Sequence, residues 1–319
     1  MSAKQKGMMA LAAFPLAGLT CGCVTLSVNG NGDLDLSSGG CTQTAQAVLK
    51  ACGLSAEEDF WNAIGNCANF SDLTDRQTCA EDMKTALGDA TNECTVQFDA
   101  RQAVCDRMGP APYDPVIDPS NFVTVIDNPY FPLTPGTTFI YEGQRTQGFE
   151  HVEFFVTHNT KVILGVTCVE ARDTVKVNGE LTEDTLDWFA QDTDGNVWYF
   201  GENTHELVGG LITTIDGTFT GGVESAKPGI VMEAHPAIGD FYHQEFDLGN
   251  AEDFAEVVNL TESVTVPAGT YGQCLKTQET SPLEPDLLEY KFYAPGVGNV
   301  LTVDANTGEK SELVQITRE

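Results

Sequence analysis

Hydrophobic and polar positions divide the chain into a helical first part and a β-rich second part. Between residues 41 and 109, apolar residues recur at helical spacing, and turn and capping signals predict four short helices. Gly53 and Gly88 are predicted to end the first and third helices. Capping-box patterns at 55–58 and 74–77 are predicted to begin the second and third.

From residue 121 to residue 319, short runs rich in β-branched and aromatic residues replace the helical pattern, for example at 152–156, 169–175 and 287–293. Dipeptides such as Asn178-Gly179 and Asp194-Gly195 lie between these runs and favour tight hairpins, because both residue types tolerate a positive φ. The pattern predicts an antiparallel β domain that is curved or partly closed.

Two segments of this β domain are similar to each other. The sequences around Cys168, 188–190 and 195–197 reappear around Cys274, 292–294 and 298–300, with offsets of 106, 104 and 103 residues. We interpret them as one meander used twice. Equivalent strands would then carry Cys168 and Cys274, for which we predict a disulfide; the alternative is two small buried thiols.

Six cysteines in the helical part have nearly mirror-symmetric spacing. The intervals between Cys41, Cys52, Cys67, Cys79, Cys94 and Cys105 are 11, 15, 12, 15 and 11 residues. A nested pairing, Cys41–Cys105, Cys52–Cys94 and Cys67–Cys79, uses equal intervals on antiparallel helices and is preferred among the fifteen connectivities that six cysteines allow. A metal or haem module is the rival interpretation, but there is neither a Cys-x-x-Cys motif nor a histidine between Cys41 and Cys105.

The N-terminus is predicted to direct export. Residues 1–22 have a basic start and a short apolar core, as in a signal peptide, and Cys23 follows at a position suited to lipidation. An ordinary signal peptide cut nearby is the alternative. The remaining divisions are a flexible tether at 23–40, the helical domain at 41–109, a linker with four prolines at 110–120 and the β domain at 121–319. The predicted fold class is therefore α+β, with a disulfide-linked four-helix bundle before the β domain.

The charge of the chain excludes several partners. The sequence has 47 acidic and 16 basic residues, a formal net charge of −31. Such a surface repels phosphate backbones and anionic headgroups, so we expect no nucleic-acid partner and membrane contact only through a lipid anchor. Because disulfides persist in oxidising compartments, the expected location is the periplasm, the outer membrane or the cell surface.

Candidate chemistry is sparse. Asp192, Asp194 and Asn196 place oxygen ligands at alternating positions, as a calcium loop does, although a hairpin turn is expected at the same place. The sequence therefore predicts no cofactor, with calcium as the alternative. Aromatic residues on neighbouring predicted strands suit either an apolar ligand or the core, with the core favoured: Trp188, Trp198, Phe200, Tyr290 and Phe292.

The β domain resembles a family of exported bacterial proteins, many of them lipoproteins, that have no assigned function. The resemblance rests on the stretches 128–133 (NPYFPL), 135–137, 185–192 (TLDWFAQD), 195–202 (GNVWYFGE), 226–232 (AKPGIVM), 283–285 and 293–298. It covers most of residues 121–319 and not the cysteine-rich helices. It implies export and transfers no catalytic residue.

Two functional hypotheses follow. The first is a non-catalytic exported protein whose β domain binds a lipid or other small apolar ligand, a glycan or a protein, with the helical domain as a rigid spacer or interaction module. The second is an enzyme or metal-dependent module with a site assembled from distant residues of the β domain. No catalytic sequence motif, such as Gly-x-Ser-x-Gly or His-Glu-x-x-His, supports the second.

Overall fold

A computed structural model describes residues 40–319 of the chain. The predicted signal peptide at 1–22, Cys23 and the tether up to residue 39 lie outside the described residues. The elements in chain order are α1 Cys41–Ala68, α2 Leu73–Met108, β1 Phe122–Val123, β2 Thr137–Arg145, β3 Gly148–Ile163, β4 Val166–Val177, β5 Glu180–Asp192, β6 Val197–Val208, β7 Leu211–Thr214, β8 Phe219–Thr220, β9 Lys227–Met232, β10 Phe241–His243, β11 Glu245–Phe246, β12 Phe254–Val266, β13 Gly269–Thr280, β14 Glu289–Ala294, β15 Gly298–Asp304 and β16 Lys310–Arg318.

The helical part is a hairpin of two long helices, so the prediction of a four-helix bundle is wrong. Gly53 lies inside α1, which has 28 residues, and Gly88 lies inside α2, which has 36. One glycine in a helix interior costs only about 1 kcal/mol relative to alanine, which is too little to end a helix that is held by other bonds. Neither helix of the described chain has an apolar stretch long enough to cross a membrane.

Three disulfides join the two helices in the nested arrangement that the spacing favours. Cys41–Cys105, Cys52–Cys94 and Cys67–Cys79 have Cα–Cα distances of 5.6, 5.8 and 5.6 Å. Within each helix the cysteines are 11 and 15 residues apart, which is about three and four turns, so all three lie on one face. Two continuous helices therefore explain the mirror spacing better than four short ones.

The disulfides are the main link between α1 and α2. The buried residues of α1 are Ala45, Ala56 and Cys67, and those of α2 are Cys94, Arg101 and Cys105. A pair of helices with so few buried apolar side chains gains little from the hydrophobic effect. Covalent closure of the hairpin therefore supplies the stability that packing does not.

The β-rich part forms one antiparallel sheet that nearly closes on itself. Its strand order is β10-β12-β13-β14-β15-β16-β2-β3-β4-β5-β6-β9-β11. The segment 241–246 lies across the seam: β10 pairs with β12 on one edge, and β11 pairs with β9 on the other. The prediction of a curved or partly closed antiparallel domain is confirmed.

Tight turns join many of the strands, as the glycine-containing dipeptides predict. Between β4 and β5, Asn178 has φ of 52° and Gly179 has φ of 85°, the positive values that a two-residue hairpin turn requires. The apolar core fills the end of the barrel near the turns at 163–166 and 266–269, and its fully buried side chains include Val156, Val257 and Leu275. The opposite end, near the turns at 145–148 and 177–180, has polar contents.

The two similar segments correspond to two meanders, β4-β5-β6 and β13-β14-β15. Both have a register irregularity at the equivalent place, between Trp188 and Phe189 in the first and between Phe292 and Tyr293 in the second. The similarity between 195–197 and 298–300 does not extend to the strand pairing. Ala190 pairs with Trp198, whereas the equivalent Ala294 pairs with Gly298.

The predicted disulfide between Cys168 and Cys274 is wrong, since both are free buried thiols. Five strands separate β4 from β13 in the sheet order. Cys168 packs with Ile163 and Trp188 in a cluster distinct from the main core, whereas Cys274 packs in the main core. The neighbouring Val169 belongs to the main core, so the Cys168 side chain points to the outer face of the sheet.

The helical hairpin is anchored to the barrel by polar contacts. Arg101 of α2 is 5% exposed and Glu252 of the barrel is 4% exposed. The guanidinium Nη2 and Nε donate to the two Glu252 oxygens at 2.7 and 2.9 Å. Nearer the end of α2, Arg107 donates to Glu256 at 2.8 Å and lies 3.9 Å from the Phe241 ring centroid.

The linker 110–120 lies against the barrel. The Tyr113 hydroxyl donates to the Pro228 carbonyl at 2.9 Å, and its ring lies 4.0 Å from the His243 ring. Burial lowers the pKa of His243 to about 3, so the imidazole is neutral in this stack. Further along, Ile117 packs against the outer cluster that contains Trp188.

We predict that Arg101→Met destabilises the protein by about 3–5 kcal/mol, because it leaves the Glu252 carboxylate buried without its partner. Urea unfolding of the full chain with intact disulfides measures the change. The matched control is Arg107→Met on the same helix, where the ion pair is 43% and 25% exposed and the expected loss is below about 1 kcal/mol. Equal losses in the two variants would contradict the assignment of Arg101 as the anchor.

Gly229 is predicted to be required at the barrel seam. A Cβ added there would lie 2.4 Å from the carbonyl carbon of Gln244. Gly229→Ala is therefore expected to lower the free energy of unfolding by about 1–3 kcal/mol, as overpacking does. Gly272→Ala on β13 is the control, since an added Cβ meets nothing within 4 Å there. If urea unfolding gives the same stability for both variants, the seam is not closely packed.

Candidate functional site

The barrel contains a cavity of about 230 Å³ that is partly open to solvent. Residues of β2–β6 and β14–β16 line it, together with the loop 131–133 and the seam residues Gln244 and Glu245. It lies where the apolar core gives way to the polar end of the barrel. A cavity of about 150 Å³ is enough to hold benzene, so this space accommodates a small organic molecule.

Aromatic rings form one wall of the cavity. Phe139, Phe154, Phe189, Tyr199 and Tyr293 all line it. Phe154 lies 6.3 Å from Phe139 and 6.5 Å from Phe189, and Phe189 stacks on Tyr199 at 4.8 Å between ring centroids. These contacts fix the rings in place and leave an apolar surface toward the cavity.

Carboxyl groups dominate the remaining wall. The acidic residues of the lining are Glu150, Asp173, Glu183, Asp187, Glu245, Asp253 and Glu289, and the basic residues are Arg145 and Lys291. Arg145 pairs with Glu150 at 3.1 Å, and Lys291 pairs with Glu279 at 2.5 Å. Both cations of the lining are thus engaged, while several carboxyl groups have no cation.

Asp173 has no polar partner. It is 1% exposed, and neither of its carboxyl oxygens has a hydrogen-bond partner among the described residues. It points into the barrel because it alternates with the core residues Val169 and Ala171 along β4. Burial, and then the charge of Asp187, raise the pKa of Asp173.

Asp187, Tyr199 and Glu202 share protons. The Tyr199 hydroxyl lies 2.5 Å from Asp187 Oδ1 and 2.7 Å from Glu202 Oε2. A phenol has one proton and can donate to only one of them, so the other acid must be protonated and donate to the phenol oxygen. Burial, and then the charge of Glu202, raise the pKa of Asp187 to about 7. Burial also raises the pKa of Glu202.

The aromatic residues singled out from the sequence lie elsewhere. Trp188 and Phe200 are buried in the outer cluster, and Trp198 packs against it. Tyr290 lies beneath the Lys276 ammonium at 3.6 Å, and Phe292 packs at the margin of the main core. None of these five side chains lines the cavity within the described chain.

The predicted calcium loop is a hairpin turn whose oxygens accept hydrogen bonds from the protein. Asp192 Oδ1 accepts from the backbone N–H of Asp194, Gly195 and Asn196 at 2.8–3.0 Å. Its Oδ2 accepts from Trp198 Nε1 at 2.9 Å and from the Asn196 amide at 2.8 Å. The Asn196 Oδ1 accepts from the Ala234 N–H at 2.8 Å. Within residues 40–319, no group of three or more His, Cys, Asp or Glu residues is arranged to hold a metal ion.

The cavity residues had a signal in the sequence that the pattern analysis missed. Asp173 occupies a position in β4 where the neighbours of the same parity, Ala171 and Val169, are buried apolar residues. Asp187 stands likewise two residues before the buried Phe189 in β5. A carboxylate in the inward register of a strand is the sign of a polar barrel interior.

Comparisons with known proteins add little. No protein-family model matches the chain. No curated protein matches it either. A crystal structure of a "putative lipoprotein" from Parabacteroides distasonis ATCC 8503 is similar over 59% of this chain and 98% of that chain, at 17% identity and a TM-score of 0.29. A likeness of this degree transfers neither fold nor function.

The raised pKa of Asp187 predicts that the protein loses stability as the pH rises. An acid whose folded pKa lies above its unfolded value stabilises the fold below about pH 4, and the contribution is lost as the pH rises through 7. One retained proton gives a slope of up to about 1.4 kcal/mol per pH unit. Urea unfolding at pH 5, 6 and 7, conditions chosen at about one-unit steps across this window, measures the slope.

Asp187→Asn tests the assignment, because the amide cannot lose a proton in this range. We expect a shallower loss of stability with pH in the variant than in the unsubstituted protein. Glu202, Glu183 and Asp173 face the same site, and Glu245 and Glu289 line the same cavity. Burial raises the pKa of each of them, so they contribute to the remaining slope. Identical slopes for the two proteins would show that Asp187 titrates normally.

Proposed function

We propose that the protein is an exported, non-catalytic binding protein whose barrel cavity holds a small ligand with an apolar part. The observation that carries this proposal is the cavity of about 230 Å³ inside the barrel, with its fixed aromatic wall. Small-molecule sites are concave, largely preformed and mostly apolar, with a few directed polar groups. A volume of about 230 Å³ favours a small molecule over a protein surface or an extended glycan.

Export is supported by the three disulfides of the helical hairpin. Such bonds persist in oxidising compartments and are rare in the cytosol. They indicate an extracytoplasmic protein, and the proposal places it in the periplasm or at the cell surface. Attachment through a lipid on Cys23 is part of the same proposal.

The helical hairpin is proposed to act as a rigid spacer or interaction module. Three covalent links along its length keep α1 and α2 in register. Large apolar side chains on it are exposed, among them Trp61 at 66% and Leu73 at 64%. It is fixed to the barrel through Arg101, so a partner held by the hairpin would stand at a set distance from the cavity.

Catalysis is the second candidate function, and one observation favours it. A pKa of about 7 suits the Asp187 carboxyl group for proton transfer near neutral pH. The cavity lining of the described chain, however, contains no histidine and no serine–base pair, although Ser311 lies at its margin. Binding of a ligand that is recovered unchanged separates the first function from the second.

The cavity predicts binding of an uncharged apolar dye such as N-phenyl-1-naphthylamine, with increased fluorescence. Val152→Phe on β3 should abolish the increase, because Val152 lines the cavity and the larger ring fills it. Val162→Phe is the matched control: it lies on the same strand, and its side chain is 67% exposed.

Fluorescence titration of the full chain and of both variants measures the effect. The proposal expects binding in the unsubstituted protein and in Val162→Phe, and a loss of at least about tenfold in Val152→Phe, which corresponds to about 1.4 kcal/mol. Equal dye binding by Val152→Phe and Val162→Phe would place the dye outside the cavity and overturn the proposed site.

A further inference from the structure

We propose that the ligand of the cavity is an organic cation, a small amine whose ammonium group pairs with Asp173 while its apolar part lies against the aromatic wall. This inference rests on the proposed binding function and names the chemical class of its ligand.

The unpartnered carboxyl group of Asp173 is the first observation. Its cross-strand neighbours are Phe154 on β3 and Thr185 on β5. Phe154 has no polar group to offer, and the Thr185 hydroxyl is directed to Glu183 at 3.0 Å and to Thr204 at 3.2 Å. A buried polar group without a partner costs about 1–3 kcal/mol. A donor supplied by a ligand would remove that cost.

The acidic and basic side chains that line the cavity indicate which charge the ligand carries. Seven acidic side chains and two basic ones line the cavity. Arg145 and Lys291 are already paired with Glu150 and Glu279. Burial raises the pKa of Asp173, so its carboxyl group keeps a proton while it has no partner. An ammonium group stabilises the ionised carboxylate, and its binding releases that proton. An anion would meet acidic side chains and two cations that are already paired.

The aromatic wall suits an organic cation in particular. Phe154 pairs directly with Asp173 across the β3–β4 ladder, so a ring and a carboxyl group lie side by side. An ammonium group near a ring face is stabilised by the ring quadrupole, and more strongly where water is excluded. Aromatic cages hold alkylated ammonium groups in this way, and a carboxylate beside the rings adds a charged hydrogen-bond acceptor for the N–H groups of an amine.

A small metal ion fits this wall less well. Calcium takes six to eight oxygen ligands at short range. Within residues 40–319, no three acidic or histidine side chains are arranged as a metal site. An ammonium group needs a single strong acceptor and has three donors to share, which is what Asp173 and its acidic neighbours can satisfy.

Three probes of one shape and different charge test the sign of the ligand. Isothermal titration calorimetry of the full chain at neutral pH compares 2-phenylethylamine, 2-phenylethanol and phenylacetate. We expect the amine to bind at least about tenfold more tightly than the alcohol, because only the amine gives Asp173 a charged donor. The carboxylate should bind most weakly.

Two carboxyl-to-amide variants test the residue. Asp173→Asn should remove the preference for the amine over the alcohol. Glu153→Gln, on the exposed outer face of β3, makes the same kind of replacement away from the cavity and should keep it. Asp173→Asn replaces one unpartnered buried polar group by another of the same size, so its melting temperature should stay close to that of the unsubstituted protein.

The outcomes distinguish failure of the cation assignment from failure of the proposed binding function. Equal affinity for amine and alcohol, or an unchanged preference in Asp173→Asn, overturns the cation assignment and leaves a cavity that binds neutral ligands. Should Asp173→Asn not fold, the probe series on the unsubstituted protein decides alone. Failure of both the probes and the apolar dye to bind overturns the binding function itself.

Discussion

The closure of one antiparallel sheet determines the rest of the structure. Once the sheet closes, successive residues of every strand point alternately into the barrel and away from it. The segment 241–246 completes the closure by pairing with β12 at its start and β9 at its end. Its approach to β9 is so close that Gly229 has no room for a side chain. Everything that makes the cavity distinctive, from its rings to its carboxyl groups, depends on this inward register.

Acidic side chains that point into the barrel are hard to explain by stability alone. A carboxyl group in an apolar environment must be paired or protonated, and replacement by an apolar residue of similar size is often neutral or stabilising. In this barrel Lys291 offsets Glu279, and Tyr199 lies between Asp187 and Glu202. Asp173 has neither arrangement. The cost of keeping this acid unsatisfied is the reason why we propose a ligand as its partner.

Cysteine spacing and turn residues were enough to predict the disulfides and the hairpin turns. The sequence did not predict whether a helix continues through a glycine or which face of a strand a side chain occupies. Cysteine intervals indicated the antiparallel register of the hairpin, whereas Gly53 and Gly88 misled because an interior glycine weakens a helix without ending it. The aromatic strands were recognisable, but Trp188 and Phe200 lie on the outer side while Phe189 and Tyr199 line the cavity. A one-residue difference decides which face a side chain occupies, and a bulge in β6 opposite Trp188 and Phe189 alters that count within β6.

The seam connects the two parts of the molecule. On one side of segment 241–246, His243 is stacked against Tyr113 of the linker, and Arg107 of α2 covers Phe241. On the other, Gln244 and Glu245 line the cavity. Since the hairpin has little apolar core of its own and is fixed to the barrel by polar contacts at this place, its position and the shape of the cavity wall depend on the same few residues. The cysteine-rich helices therefore contribute to the architecture of the cavity even though none of their side chains lines it.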